Sequence, residues 1–289
     1  MVKKPGITIL SMIVVIFIWC SAGLGLLYND GGAPKLVENI YGETVQLFGN
    51  GAYANNSVLK ATTAKGTDLV VLLVSVGLLI TTLKRNTGAK MKLLHGGFLV
   101  SVLYYSATTA FGIAYSQMFL LYLSMFSSAF FAFVVTMIDL NETIRPVKND
   151  GKHTGTAIFT MAAGCTVLVW LMSILPTVFT NAPLDIIEVS TTEPTFIIDI
   201  GLIFPTCILG GILLLQKRPM GYILPPIMLT FLMIIAVIVV GQTAVQLQYG
   251  VVISIQQVIG YVITFVVFGF IAAIVNTRFM LRCWPNQNN

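Results

Sequence analysis

Charge is what this chain has least of. Asp, Glu, Lys and Arg make up 9% of its 289 residues, against roughly 25% in an ordinary soluble domain. A soluble protein of this length needs a charged shell, so the shortage excludes one and leaves lipid to cover most of the surface. Histidine occurs only at His95 and His153. The first falls near one end of an apolar segment and the second in a loop, which excludes a haem held by paired histidines across a bundle. The four cysteines, Cys20, Cys165, Cys207 and Cys283, form no CxxC pair. They read as small core residues without disulfide or metal roles. No phosphate-binding loop is present, no nucleophile stands beside a base, and no lysine lies in the middle of the last apolar segments to form a Schiff base. The chain is therefore not expected to be an enzyme or to carry a cofactor or metal, and the lipid-modifying class lacks a catalytic constellation.

Apolar sequence fills the space. Hydrophobic residues account for 56% of the chain, and eight segments are long enough to span a bilayer. They run Ile7–Leu27, Asp68–Leu83, Leu93–Tyr115, Gln117–Ile138, Thr156–Thr180, Phe196–Leu215, Gly221–Ala244 and Val251–Thr277, the second being short and open to extension into the loop before it. The first follows MVKKPG without a clean cleavage site and reads as a retained helix. The third and fourth are separated at Tyr115–Gln117, because one helix of more than about 40 residues would overshoot the membrane. The expected fold is an all-α polytopic membrane protein of about eight transmembrane helices in a single domain.

Lysine and arginine set its orientation. With the N-terminus cytoplasmic, the inner segments hold Lys3, Lys4, Lys84, Arg85, Lys90, Lys92, Arg145, Lys148, Lys152, Lys217, Arg218, Arg278 and Arg282, thirteen of the sixteen. Only Lys35, Lys60 and Lys65 fall outside. This bias places both termini in the cytoplasm. The net charge of +5 thus serves topology and anionic headgroups, and no nucleic-acid groove is needed to explain it.

The outer loop 28–67 is polar yet patterned. Leu36, Val37, Ile40, Tyr41, Val45 and Phe48 recur at near-helical spacing after Pro34, which predicts a short amphipathic helix. Gly49-Asn50-Gly51 signals a turn. Asn56 or Ser57 caps a second short helix, Val58 to Lys65, stopped by Gly66, and Thr67 and Asp68 then cap the second span. The loop reads as a folded lid or as a dock for an extracytosolic partner. The runs GET, GNGAY, SVLKA and GTD, the hairpin FGIAYSQMFLLYLSMFSSAFFAFV and the segment DIGLIFP…KRPMGY resemble a group of bacterial polytopic membrane proteins, over residues from Gly42 to about Tyr222. The resemblance implies a multi-pass protein of a bacterial inner membrane and says nothing of chemistry.

Ionisable groups inside spans are the default functional candidates. Asp199 lies early in the sixth span, at the positive end of a helix dipole, with Pro205 positioned to kink that helix. Asp68 starts the second span comparably, each being followed by a basic turn, although any inward-running helix tends to start acidic and end basic. Tyr104, Tyr105 and Thr108 share a polar face of the third span with Ser101, Gly112 and Tyr115, and the fourth span offers Gln117, Ser124 and Ser128. Small and hydroxyl residues also serve tight helix packing. Gln257, with Gly260, Tyr261 and Thr264, must face inward, because an amide against lipid is costly. The leading expectation is a small-molecule or ion transporter with Asp199 as its coupling or recognition group and the third, fourth and eighth spans lining the path. The alternative is an accessory membrane subunit whose loop 28–67 docks a partner or lipid. The charge bias predicts that reporters fused after residue 289 or inserted at residue 149 report the cytoplasm, and an epitope inserted at Gly42 the opposite side; the reverse pattern would overturn the orientation.

Overall fold

The computed structural model describes residues 5–146, 153–180 and 182–285. Four basic residues of the charge argument, Lys3, Lys4, Lys148 and Lys152, lie outside them. Eight long helices make up the described chain: α1 (Pro5–Leu27), α2 (Val58–Lys84), α3 (Ala89–Gly112), α4 (Phe119–Thr143), α5 (Thr154–Thr180), α6 (Pro194–Leu215), α7 (Pro219–Gln248) and α8 (Ile255–Cys283). Between α1 and α2 lies a two-stranded antiparallel hairpin, β1 (Lys35–Glu38) and β2 (Thr44–Leu47). The fold is that of an all-α polytopic membrane protein. Seven of these helices are long and apolar enough to cross a membrane. The exception is α3, which carries Lys90, Lys92 and His95 near its start and a run of hydroxyl residues beyond.

Polarity and position go together. Helix α3 packs against α2, α4 and α7, so its polar side chains need not face lipid. Helix α7 is the most enclosed, in contact with α2, α3, α5, α6 and α8. Helices α5 and α8 are the most peripheral, with Met172, Val178 and Phe270 exposed on their outer faces. Helices α1 to α4 form one four-helix unit and α5 to α8 another; α7 joins them through α2 and α3. Cys207 and Cys283 are buried as expected of small core residues, but Cys20 and Cys165 are exposed on the helix surface. A thiol is apolar enough to face lipid as readily as core.

The close approach of α2 to α7 rests on two glycines. A Cβ on Gly66 would overlap the backbone of Gln242, and one on Gly241 would overlap Val70. Gln242 Nε2 donates to Thr67 Oγ1 at 2.8 Å and Gln246 Nε2 to Thr63 Oγ1 at 2.7 Å. Gly66 is therefore a packing residue, and it does not stop a helix. Helix α2 runs unbroken from Val58, capped by Ser57 Oγ accepting from Lys60 N–H at 3.2 Å. The two-helix reading of 58–83 fails because a glycine inside a helix costs only about 1 kcal/mol, less than the contact it permits.

The other expected helix of the outer loop is the hairpin. Near-helical spacing of Leu36 to Phe48 is overridden by turn chemistry: Asn39 Oδ1 accepts from Tyr41 and Glu43 N–H at 2.9 Å each, and Gly42 has φ of 81°. Leu36 and Ile40 are exposed, while Val45 and Leu47 alternate inward with period two. Gly49 and Gly51, at φ of 78° and 65°, make the expected turn.

At the end of the bundle away from the hairpin, two buried cations share one acid. Arg85 Nη2 and Lys92 Nζ lie 2.6 and 3.2 Å from Asp139 Oδ2. Around them Leu93, Leu140, Ile144, Leu214, Tyr222, Phe279 and Trp284 form a second apolar core. His95, fully buried, sits 3.4 Å from both Ser11 Oγ and Thr82 Oγ1, and His153 packs on Tyr222 and Phe279. Replacing Gly66 with Leu is expected to force α2 from α7 and to cost about 1–3 kcal/mol. Gly23→Ala, where a Cβ meets nothing, is the control. Thermal unfolding in detergent measures both, and equal melting temperatures would refute the glycine contact.

Candidate functional site

Besides Asp139 with its two cations, two carboxylates are buried among the helices, and these are met by aromatic donors. Asp68 is 0% exposed. Its position eleventh in α2 puts it about 15 Å from the helix start, so it caps nothing, contrary to the expectation from sequence. Tyr53 Oη donates to Asp68 Oδ2 at 2.6 Å and Tyr105 Oη to Oδ1 at 2.7 Å. A Cβ on Gly25 of α1 would overlap this carboxylate, so glycine there leaves the acid its space. Lys65 Nζ donates to the Gly25 carbonyl at 2.7 Å and lies over the Phe48 ring at 5.6 Å. Tyr53 belongs to the outer loop, and burial followed by the Asp68 charge raises its phenol well above the usual range.

Asp199 occupies the other centre, at 5% exposure. Trp170 Nε1 donates to its Oδ2 at 2.8 Å, and Tyr104 lines the same space beside it. Two irregularities position this group. Pro205 cannot donate to the carbonyl four residues back, and the helix loosens into a π segment over Asp199–Ile203 just before it. In α5 a tighter 3₁₀ segment, Thr166–Trp170, carries the tryptophan. Its ring stacks on Phe196 at 4.8 Å and on Tyr261 at 5.1 Å, centroid to centroid. Tyr261 comes from a second π segment, Val258–Ile263 of α8. Such π segments recur at functional sites.

Asp199 sits at the floor of a chamber of about 560 Å³ at the hairpin end of the bundle. The walls are Thr63 and Thr67 of α2, Tyr104, Tyr105 and Thr108 of α3, Gln242 and Gln246 of α7, and Tyr261 and Phe265 of α8, with Trp170 of α5. Its rim carries Lys60, Glu188 and Glu193, and exposed Ile186, Val252 and Gln257 mark the mouth. Below the floor lies a second space of about 30 Å³, bounded by Tyr104, Asp199, Thr160, Cys207, Met228 and Phe265 among others. It has room for about two waters.

The residues singled out from sequence fall into four groups. Asp199, Tyr104, Tyr105 and Thr108 meet at the chamber. Asp68 is one tyrosine away, reached through Tyr105, and does not line it. Ser124 and Ser128 of α4 lie apart: Ser128 Oγ donates to the Ser124 carbonyl at 2.7 Å, so α4 contributes no wall. Gln257 does not find an inward partner. It is exposed and completes a capping box with Ser254, its Oε1 accepting from Ser254 N–H at 2.8 Å. A capping glutamine meets its hydrogen bonds locally, and the argument from lipid cost fails at a helix start. Sequence reading missed Trp170, Glu188, Glu193 and Gln242, because none is adjacent in the chain to the residues it serves.

The outer loop closes one side of the mouth. Ser57 Oγ donates to Glu188 Oε2, Asn39 Nδ2 donates to the Glu188 carbonyl at 2.9 Å, and Lys60 Nζ pairs with Glu193 at 2.7 Å. The Ala114 N–H donates to Asn56 Oδ1 at 2.9 Å, tying the loop to the turn after α3. Asp30 accepts from Gly32 and Gly51 N–H groups at 3.0 and 3.1 Å, and these bonds hold its carboxyl below the usual range. Glu188 holds a φ of 49°, uncommon for a non-glycine residue. No family model matches this chain, and searches of curated proteins and of solved structures find no match either.

Burial raises the Glu188 carboxyl above its ordinary value of 4.5, although Ser57 and Lys60 pull the other way. The folded protein then holds a proton that the unfolded chain has released, so this contribution to stability falls as pH rises through the window just above 4.5. Glu188→Gln is expected to flatten that part of the melting-temperature profile, and Ser57→Ala, which removes both the α2 cap and a donor to Glu188, to cost about 1 kcal/mol and to raise the Glu188 value further, steepening the slope. Unfolding scans across pH check both; an unchanged slope in the glutamine variant would refute the assignment.

Proposed function

We propose that this integral membrane protein is a small-molecule transporter of the permease type, with the chamber above Asp199 as its binding site. The supporting observation is the asymmetry of the path. A chamber within the 300–1,000 Å³ range of ligand pockets opens at the hairpin end, while the opposite end is packed by the Leu93–Trp284 core and the Arg85–Asp139–Lys92 cluster. An open site on one side and a sealed core on the other is the form of one half of an alternating-access cycle. The small space below Asp199 continues the line of the chamber between α3, α5, α6 and α7. By the lysine and arginine bias the open side is extracytosolic, and the resemblance of the outer-loop motifs supports a bacterial inner membrane.

Helix irregularities supply the places to move. The π segments of α6 and α8 and the 3₁₀ segment of α5 all sit at chamber level. Each is a point where the helix ladder can rewire without breaking. The accessory-subunit reading draws less support. The loop it requires as a dock is engaged with its own chain through Asn39, Ser57, Lys60 and Asn56.

Alternation can be tested without knowing the substrate. In a background whose four cysteines are replaced by serine or alanine, Thr243→Cys places a thiol on the chamber wall. Transport predicts labelling by an impermeant thiol reagent from the hairpin side in right-side-out vesicles and, more slowly, from the far side in inside-out vesicles. Asp199→Asn is expected to change the ratio of the two rates severalfold. Labelling from the hairpin side alone would reject the transporter.

A further inference from the structure

The chamber's chemistry is more specific than its size. Among the described residues that line it, the acids are Glu188, Glu193 and Asp199 and the only lysine or arginine is Lys60. Lys60 is already spent, since its Nζ lies 2.7 Å from Glu193 Oε2. An anion entering would meet an excess of negative charge and no free cation. The floor combines a carboxylate with aromatic faces: Asp199 is edged by Tyr104 and Trp170, and the Trp170 ring continues into Tyr261 and Phe265. Aromatic faces carry negative potential and attract cations that have shed some of their water.

A metal cation does not fit this wall. Among the described residues no three or more His, Cys, Asp or Glu groups converge on one point. Much of the chamber surface is aliphatic, from Ile113, Ile235, Ile238, Val239 and Val251. A bare ion would lose its hydration against such a surface and find few oxygens in return. A cation whose charge is spread over carbon does better, because its apolar body satisfies the aliphatic wall and its charge answers Asp199.

We propose that the chamber selects a monovalent organic cation with a flat apolar or aromatic body, of the arylalkylammonium class. This rests on the transport reading of the same site. The ammonium group would lie near Asp199 beside the Trp170–Tyr261 stack, with Tyr104 and Phe265 as its other aromatic neighbours, and the apolar body along the α7 face from Ile235 to Val239. The Lys60–Glu193 pair at the rim makes the site's charge adjustable in both directions.

Calorimetric titration of the purified full-length chain in detergent tests this with three probes of similar size: phenyltrimethylammonium, benzyl alcohol and benzoate. Saturable binding of phenyltrimethylammonium, and of neither other compound, is expected. Asp199→Asn, which keeps an acceptor for Trp170, is expected to weaken it about tenfold, and Lys60→Met, which uncovers Glu193, to strengthen it severalfold. Nonspecific damage to the fold would weaken both, so the opposite signs are the diagnostic. Equal or tighter binding of benzyl alcohol or benzoate would overturn the cation assignment, as would no binding of phenyltrimethylammonium at 10-fold molar excesses up to about the millimolar range of weak ligands. Two-sided labelling of Thr243→Cys, measured on the same preparation, would then still stand for transport; one-sided labelling would remove that reading as well.

Discussion

A carboxylate placed among membrane helices must be given donors or it will not stay there. That requirement organises this molecule. Tyr104 and Tyr105 are consecutive on α3, so their side chains diverge by about 100° around the helix axis. Tyr105 turns to Asp68 in the first four-helix unit, and Tyr104 faces the Asp199 chamber in the second. Asp68 has a further aromatic donor in Tyr53, and Asp199 has Trp170. Helix α3 is thereby held in register against both units at once. Rotating it to improve one contact would worsen the other. The glycine contact of α2 with α7 brings the units close enough for this arrangement to exist.

The same logic reaches the outer loop. Tyr53 lies in a short turn of that loop, yet its hydroxyl ends on an acid inside the bundle. The loop is thus anchored from below by Asp68, from the side by Asn56 and Ala114, and across the mouth by Glu188 and Glu193. Its polar composition reflects these bonds. Asn, Asp and Ser here satisfy backbone groups that have no strand or helix ladder to join. A loop so engaged covers this end of the bundle, and Tyr53 ties it to the acid beneath.

Much of this was legible in the sequence where a single local property decides it. Length and apolar content are local, and seven of the eight helices meet the spanning test on them; α3 falls short of it, and α2 begins ten residues before Asp68. Caps are local, and Ser57, one of the two candidates with Asn56, caps α2. The failures occur where a distant partner decides. Gly66 looks like a stop until Gln242 and Gly241 are laid against it. Asp68 looks like a cap until Tyr53, Tyr105 and Gly25 enclose it. The strand pair at Lys35–Leu47 was hidden by apolar spacing that suits either structure, and the turn bonds of Asn39 broke the tie. The chamber itself was half visible. Tyr104, Tyr105 and Thr108 stand out as one polar face and Asp199 as a lone acid, but the same reading also put Asp68, Ser124 and Ser128 on the path, and Trp170, Glu188 and Glu193 join the chamber only through tertiary contact.

The polarity of α3 is the price of the chamber and also the condition for it. A helix with hydroxyls at Tyr104, Tyr105, Ser106, Thr108 and Thr109 would be poorly placed against lipid, where each group needs an internal partner. Several of those hydroxyls do return to their own helix, as Thr108 Oγ1 does to the Tyr104 carbonyl at 3.0 Å. The tyrosines cannot, because the ring carries the hydroxyl beyond the helix surface. They require acids or water at a distance of one side chain, and that distance separates α3 from α2 on one side and from α6 on the other. Long polar side chains hold helices apart and small residues draw them together. Here glycines close the α2–α7 contact while tyrosines and a tryptophan prop open the space beside it. The volume above Asp199 follows from that opposition, and so does its lining.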